Sequence, residues 1–266
     1  MSYRTLRVER DARGVVTVAL NRPAKRNALS VAMIDDLTSF AAEANRDGSL
    51  RAMVLRGEGE VFCAGGDLEW MRSQVEADRE TRRREARRLA AMLRALNELR
   101  APLIGAIHGA ALGGGAGLAA VCDVALAVDG TRFGFTETRL GLIPATIGPY
   151  VIARLGEGRA RQVFMSSRVF DADEAVRLGL VARCVERAAL EAAVEREVAP
   201  YLQAAPGAVA RAKALALDLG SPVDDAAIDR SVEALVDAWD SEEARVGIAA
   251  FLDKRSPPWA SGTRKP

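Results

Sequence analysis

The sequence predicts an α/β fold, and three observations support the prediction. Short apolar segments alternate with segments whose apolar residues recur at helical spacing. Two of the apolar segments run directly into glycine-rich turns, and from Glu186 onward the pattern is that of consecutive helices. Strands that alternate with helices are typical of sheets with parallel pairing. We therefore expect a core domain over residues 1–205 and a helical region over residues 206–266.

The apolar segments predict six strands. The first two are joined by a four-residue turn that ends at Gly14, and the later ones are separated by helical segments. Ser30 is a good N-cap for a helix that runs to about residue 45. The predicted strands are residues 6–9, 15–20, 52–56, 103–107, 124–128 and 181–185.

A second predicted helix, residues 78–99, combines an apolar stripe with many arginines. The stripe indicates a face packed on the core. Its members are Leu89, Met92, Leu93, Leu96 and Leu99. The arginines between Arg82 and Arg88 favour a solvated face. Attraction of the phosphates of a ligand or of RNA is the alternative interpretation of this run.

The composition indicates a globular protein without a strong electrostatic preference. The chain has 266 residues, 37 Lys plus Arg, 36 Asp plus Glu and a formal net charge of +1, so we expect neither nucleic-acid nor membrane binding. Its three cysteines lack metal-ligand spacing, which favours free thiols in a reducing cytoplasm and no metal site. The charged N-terminus does not have the pattern of a signal peptide.

The two glycine-rich turns are the best candidates for chemistry. They are Phe62-Cys63-Ala64-Gly65-Gly66-Asp67 and the run from His108 to Gly117. Each follows a predicted strand and precedes a predicted helix, where backbone N–H groups are unpaired and the helix dipole adds positive potential. Two such amides that converge on one point would stabilise a developing oxyanion.

These motifs, taken together, resemble the crotonase superfamily, also called the enoyl-CoA hydratase/isomerase family. Besides the two turns, the resemblance extends over nearly the whole chain in the order and spacing of the family. The further matching segments are Asn21-Arg22-Pro23, Asn27-Ala28-Leu29, Cys122-Asp123, Phe133-Gly134, Glu137, Gly141-Leu142-Ile143-Pro144, residues 175–181 and residues 251–255.

The resemblance implies a spiral of ββα units, with a C-terminal helical region used for trimer formation, and an acyl-CoA thioester as substrate. It implies a homotrimer or a dimer of trimers, and no cofactor, because CoA is part of the substrate. The oxyanion donors would be Gly66 and Gly114. The residues expected to contact CoA are Lys25, Arg26, Ala28, Ala64, Asp67, Leu68, Leu112, Phe251 and Lys254, the last from an adjacent subunit.

The chain departs from the family pattern at one catalytic position. Typical hydratases use two glutamates, and the corresponding positions here are Gly117 and Glu137. A single carboxylate can both take and return a proton, so Glu137 is the expected acid–base residue, with its pKa raised by apolar neighbours. Gly117 and the run after Pro144 resemble the branch that hydrates methylglutaconyl-CoA-type thioesters. The alternatives are a Δ3-Δ2-enoyl-CoA isomerase and an RNA-binding protein with a vestigial pocket.

Four other residues are candidates with less support. We expect His108 to be a hydrogen-bonded structural residue, because no serine elbow accompanies it. We expect Cys63 to be a packing residue. If the segment around Glu137 is extended, Arg139 shares its face and could bind a distal carboxylate, although a structural ion pair is favoured. Trp70, just after the first turn, could line the acyl pocket.

Overall fold

The computed structural model describes residues 3–220 and 223–260, and its strands form two sheets. The larger sheet has the order β1-β2-β3-β4-β6-β9 and the smaller one the order β5-β7-β8. The strands are β1 (Leu6–Arg10), β2 (Val15–Leu20), β3 (Ala52–Gly57), β4 (Leu103–Ile107), β5 (Ala110–Leu112), β6 (Val124–Val128), β7 (Arg132–Gly134), β8 (Val169–Phe170) and β9 (Arg183–Val185).

The strand pairing confirms the predicted α/β class. Only β1–β2 and β7–β8 are antiparallel among the described pairs, and the rest of each sheet is parallel. The chain leaves β4 of the large sheet for β5 of the small one, and then passes from β6 to β7 in the same way. Successive strand pairs are therefore stacked, as in a spiral of ββα units.

The helices cover the sheets and form the C-terminal part. Six of them begin after a side chain that accepts a hydrogen bond from the first turn, and these caps include Ser30 and Asp67. The helices are α1 (Val31–Arg46), α2 (Leu68–Glu76), α3 (Arg79–Asn97), α4 (Gly114–Val121), α5 (Gly148–Leu155), α6 (Glu157–Phe164), α7 (Ala172–Leu178), α8 (Leu190–Gln203), α9 (Pro206–Leu219), α10 (Asp225–Trp239) and α11 (Glu242–Leu252).

Residues Glu137–Leu140 form a 3-10 helix, so the extended segment on which a shared face of Glu137 and Arg139 depended is not formed. The two residues Glu137 and Arg139 therefore do not share a face as they would on a strand. Arg139 donates to the carbonyl of Ser167 and forms no ion pair with a described residue, so the favoured interpretation of Arg139 was wrong as well.

The arginines of α3 also differ from the expected solvated face. Five of the seven lie against carboxylates on α10 or directly after it, whereas Arg84 and Arg88 pair with Glu85 of α3 itself. The pairs are Arg79 with Asp237 and Asp240, Arg82 with Asp240, Arg83 with Glu233, Arg87 with Asp229, and Arg94 with Asp225. We call this set the α3–α10 ladder. The pairs of Arg82, Arg83 and Arg87 place carboxylates next to the arginine run on which the RNA-binding alternative depended.

The C-terminal helices complete a hydrophobic cluster over the spiral. Leu142, Leu235 and Trp239 belong to this cluster together with buried alanines of α3, and α11 contacts the 3-10 helix that begins at Glu137. Helix α9, by contrast, has no buried residue within the chain. None of the helices in the described part of the chain has the length and hydropathy of a membrane span.

Candidate active site

The two glycine-rich turns lie side by side. Cys63 and Ala111 form a parallel bridge, and the N–H of Leu112 donates to the carbonyl of Cys63 over 3.1 Å. Gly65 adopts a φ of +99°, and a Cβ placed there would lie 2.9 Å from the carbonyl oxygen of Leu112. Close approach of the two backbones therefore requires glycine at residue 65.

Gly66 and Gly114 each carry an N–H group without a protein acceptor among the described residues. The amides around Gly66 are engaged: Leu29 donates to Gly65, and Asp67 donates to Leu29 over 3.1 Å. Gly114 is the first residue of α4, a position whose N–H has no partner within a helix. Free amides of this kind can stabilise an oxyanion.

A cavity of about 620 Å³ is bordered by both of these glycines and by Glu137. Of the residues expected to contact CoA, all but Lys254 border it. The exposed residues Lys25, Arg26, Leu68 and Phe251 lie at its mouth. Its inner wall is apolar and includes Leu29, Ile34, Leu142, Ile147, Leu235 and Trp239, all of them buried.

Glu137 borders this cavity while its carboxyl group is enclosed by protein. Its Oε2 is buried and has no hydrogen-bond partner among the described residues. A Cβ placed on Gly113 would lie 2.9 Å from its Oε1, so the carboxyl group is next to the second turn. Desolvation by burial raises the pKa of Glu137 to about 7, opposed only by its own backbone N–H. The carboxyl group can therefore accept and donate a proton near neutral pH.

The space beside Gly117 holds a hydrophobic side chain. A Cβ on Gly117 would lie 2.4 Å from Cγ2 and 2.9 Å from Cβ of Ile147. Ile147 is buried and also borders the cavity. Sequence reasoning noted the missing glutamate but did not identify Ile147 as its replacement. The only available signal was that residue 147 lies in the run after Pro144 that departs from the family pattern.

Asp67 borders the cavity, but its carboxylate is engaged in hydrogen bonds within the protein. It accepts from the N–H groups of Glu69 and Trp70 at the start of α2 and from Arg22 over 2.9 Å. Burial opposes ionisation of this group, yet the hydrogen bonds from Arg22 and α2 hold its pKa below the usual range.

Two other candidates, His108 and Cys63, lie in environments that are typical of structural residues. His108 is buried, and its Nε2 lies 2.9 Å from the carbonyl oxygen of Gly59; burial lowers its pKa. Cys63 is completely buried, and burial raises the pKa of its thiol to about 12. Neither residue therefore has the features of a catalytic nucleophile or base. Among the described residues, no group of three acidic, histidine or cysteine side chains could hold a metal ion.

Comparison with known proteins agrees with the fold. The family description "Enoyl-CoA hydratase/isomerase" matches residues 10–262. A probable enoyl-CoA hydratase of Mycobacterium bovis is 34% identical over 97% of this chain and 98% of its own length. The 2,3-dehydroadipyl-CoA hydratase of Escherichia coli is 35% identical over 91% of this chain and 94% of its own length. A crystal structure of an enoyl-CoA hydratase from Mycobacterium avium superposes with a TM-score of 0.82 at 33% identity, covering 97% of this chain and 100% of that one. The chain is therefore an enzyme that belongs to the enoyl-CoA hydratase/isomerase family.

Proposed function

We propose that the enzyme adds water across the α,β-double bond of a 2-enoyl-CoA thioester. The observation that carries the proposal is the common cavity of Gly66, Gly114 and Glu137, which holds two amides and one enclosed carboxyl oxygen that have no partner in the described part of the chain. The names of the relatives support the same reaction class. The reaction needs no cofactor, because the CoA thioester itself provides the carbonyl that accepts electrons.

In this proposal the thioester oxygen lies between the N–H groups of Gly66 and Gly114. When water attacks the β-carbon, the π electrons move onto that oxygen and form an enolate. The dipole of α4, which begins at Gly114, favours the same negative charge. Loss of one such donor typically costs about 3–4 kcal/mol of transition-state stabilisation.

Glu137 performs both proton transfers. As a carboxylate it takes a proton from the attacking water while the oxygen bonds to the β-carbon. As a carboxylic acid it then gives that proton to the α-carbon when the enolate collapses. A pKa of about 7 suits both steps at neutral pH, because neither protonation state is strongly favoured.

The cavity favours an apolar acyl group. The CoA nucleotide must remain at the exposed mouth, near Lys25 and Arg26, which are the only cations among the described lining residues. The acyl group then extends among Ile34, Leu142 and Leu235. A distal carboxylate would be buried there without a counter-ion, which is costly. The 3-methylglutaconyl group implied by the resemblance is therefore our second substrate candidate.

One observation favours isomerisation as the alternative reaction. Ile147 occupies the position beside Gly117, and among the described lining residues Asp67 and Glu69 are paired with Arg22 and Lys25, which leaves Glu137. A double-bond shift from the 3- to the 2-position requires only one carboxyl group. Glu137 would remove a proton from one carbon and return it to another, with the same oxyanion donors holding the dienolate.

A panel of CoA thioesters separates these functions. Hydration of crotonyl-CoA or 3-methylglutaconyl-CoA removes absorbance of the enoyl thioester, whereas isomerisation of 3-hexenoyl-CoA produces it. We expect the absorbance of the enoyl thioester to fall with straight-chain 2-enoyl substrates. We expect an E137Q variant to be slower by about 10²–10⁴-fold. Turnover of none of these thioesters by the folded protein would refute the proposal.

We further infer a cytoplasmic trimer. Support for the location comes from the free cysteines Cys63, Cys122 and Cys184. Support for the assembly comes from α9, whose Leu215 and Leu219 are exposed in the single chain. A role of Lys254 at the site of a neighbouring subunit is part of this proposal, because Lys254 does not border the cavity of its own chain.

A further inference from the structure

We propose that Trp239 is a specificity-determining residue of the acyl compartment and that Arg82 is the positioning residue that holds it there. The inference rests on the proposed function, since it assigns the wall that limits the acyl group. It also gives a role to Arg82, whose side chain is more enclosed than those of the other arginines in the α3–α10 ladder.

Trp239 forms one wall of the cavity together with Trp70. The two rings meet edge to face, with centroids 6.3 Å apart and an interplanar angle of 85°, and both border the cavity. A Cβ placed on Gly66 would lie 3.9 Å from Cε3 of Trp70. The aromatic pair therefore stands next to the proposed position of the thioester, where its placement limits the width of the acyl compartment.

The placement of this pair depends on packing. The indole N–H of Trp70 is buried and has no acceptor among the described residues, so no hydrogen bond fixes that ring. Trp239 is the last residue of α10, and helix ends fray unless other contacts hold them. The two rings therefore keep their positions only if further contacts hold the end of α10 against the end of α2.

Arg82 connects the end of α10 to the end of α2. Its guanidinium carbon lies 5.9 Å from the centroid of the Trp239 ring, within the range of a cation–π contact. Its Nε donates to the carbonyl of Gln74 over 2.9 Å and its Nη2 to that of Val75 over 3.1 Å, both near the end of α2. Its Nη1 binds the carboxylate of Asp240, the residue after Trp239.

Arg82 is more enclosed than its neighbours in the ladder. Only 12% of its side chain is exposed, against 51% for Arg87, which pairs with Asp229 over 2.9 Å. Arg87 borders no part of the cavity. The two residues lie on the same helix and bind the same partner helix, so Arg87 is a matched control for loss of one ladder pair.

The test is the dependence of kcat/KM on acyl chain length for 2-enoyl-CoA substrates from four to ten carbons. We expect W239A to shift the preferred length upward by about two carbons and to lower kcat/KM for crotonyl-CoA about tenfold, mainly through KM. R82A should shift the profile in the same direction by a smaller amount. R82K keeps the charge but loses the planar guanidinium group, so it should restore the wild-type chain-length profile only in part. R87A should keep the wild-type profile.

The result that overturns the inference is a wild-type chain-length profile in both W239A and R82A. If W239A does not fold, W239F replaces it, and an unchanged profile in W239F together with R82A has the same meaning. Calorimetric binding of butyryl- to decanoyl-CoA keeps this test separate from the proposed function. Absence of hydration by the wild type would refute the function, whereas the shift of binding affinity in the variants would still decide the role of Trp239.

Discussion

At the scale of single residues, the account depends on one carboxyl group that is deprived of solvent. Glu137 was identified from its place after Phe133-Gly134, and its proximity to apolar residues predicted a raised pKa. The sequence could not give the size of the effect, because that depends on the enclosure of Oε2 and on the absence of a described partner for it. Ile147 was missed for a related reason: which side chain fills the space beside a glycine is a matter of tertiary packing.

The raised pKa of Glu137 has a consequence for stability. An acid whose pKa rises from 4.5 to about 7 on folding retains its proton in the native state while the unfolded chain loses it. Stability is therefore unaffected below pH 4.5 and falls as pH rises toward 7, by about 3 kcal/mol at most. We predict that E137Q is more stable than the wild type at pH 8 but not at pH 4.5. Urea unfolding at both pH values measures this, and an equal difference at the two would contradict it.

The contact between Gly117 and Ile147 predicts the effect of adding a methyl group. G117A should destabilise the protein by about 1–3 kcal/mol despite the higher helix propensity of alanine, because the new Cβ would overlap with Ile147. I147A should relieve part of that loss in the double variant. Gly158 of α6 is the matched control, since nothing lies within 4 Å of a Cβ placed there, and G158A should be neutral or stabilising. Equal effects of the two alanine substitutions in urea unfolding would refute the packing argument.

At the scale of elements, long segments with clear periodicity were predicted well. Helix α1 begins after the expected cap, Ser30, helix α3 lies within the predicted range 78–99, and five of the six predicted strands match within about one residue. Strands β5, β7 and β8 were not predicted, because two or three residues carry no usable period and are held by pairing with distant strands. Helix α2 was expected after the first turn, but its bounds were not predicted because its sequence is mostly polar.

The α3–α10 ladder was beyond sequence reasoning for another physical reason. Its acidic partners lie about 130–160 residues further along the chain, so a run of arginines alone could not reveal them. We predict that R83A lowers the melting temperature at low ionic strength, because Arg83 pairs with Glu233 through two N–H groups. The difference from the wild type should shrink near 1 M NaCl, where the Debye length is about 3 Å. A salt-independent difference would indicate lost packing of the arginine stem in place of lost charge pairing.

At the scale of the whole molecule, the single chain leaves apolar surface on α9 uncovered. Within the described residues, α9 buries no side chain, and 57% of Leu215 and 74% of Leu219 are exposed. If the trimer covers this helix, L215E together with L219E should reduce the mass in solution from three chains to one. Analytical ultracentrifugation measures that mass. A wild-type protein that sediments as a single chain would contradict the proposed assembly and the role of Lys254, but not the roles of Gly66, Gly114 and Glu137.

The most direct test of the central claim is the pH dependence of kcat/KM for hydration of crotonyl-CoA. Because Glu137 must be ionised to take a proton from water, the account predicts a rate that falls below an apparent pKa of about 7. E137Q should lose that ionisation together with most of the activity. A wild-type profile without an ionisation near neutrality, or an E137Q variant of near-normal rate, would contradict the assignment of Glu137 as the proton carrier.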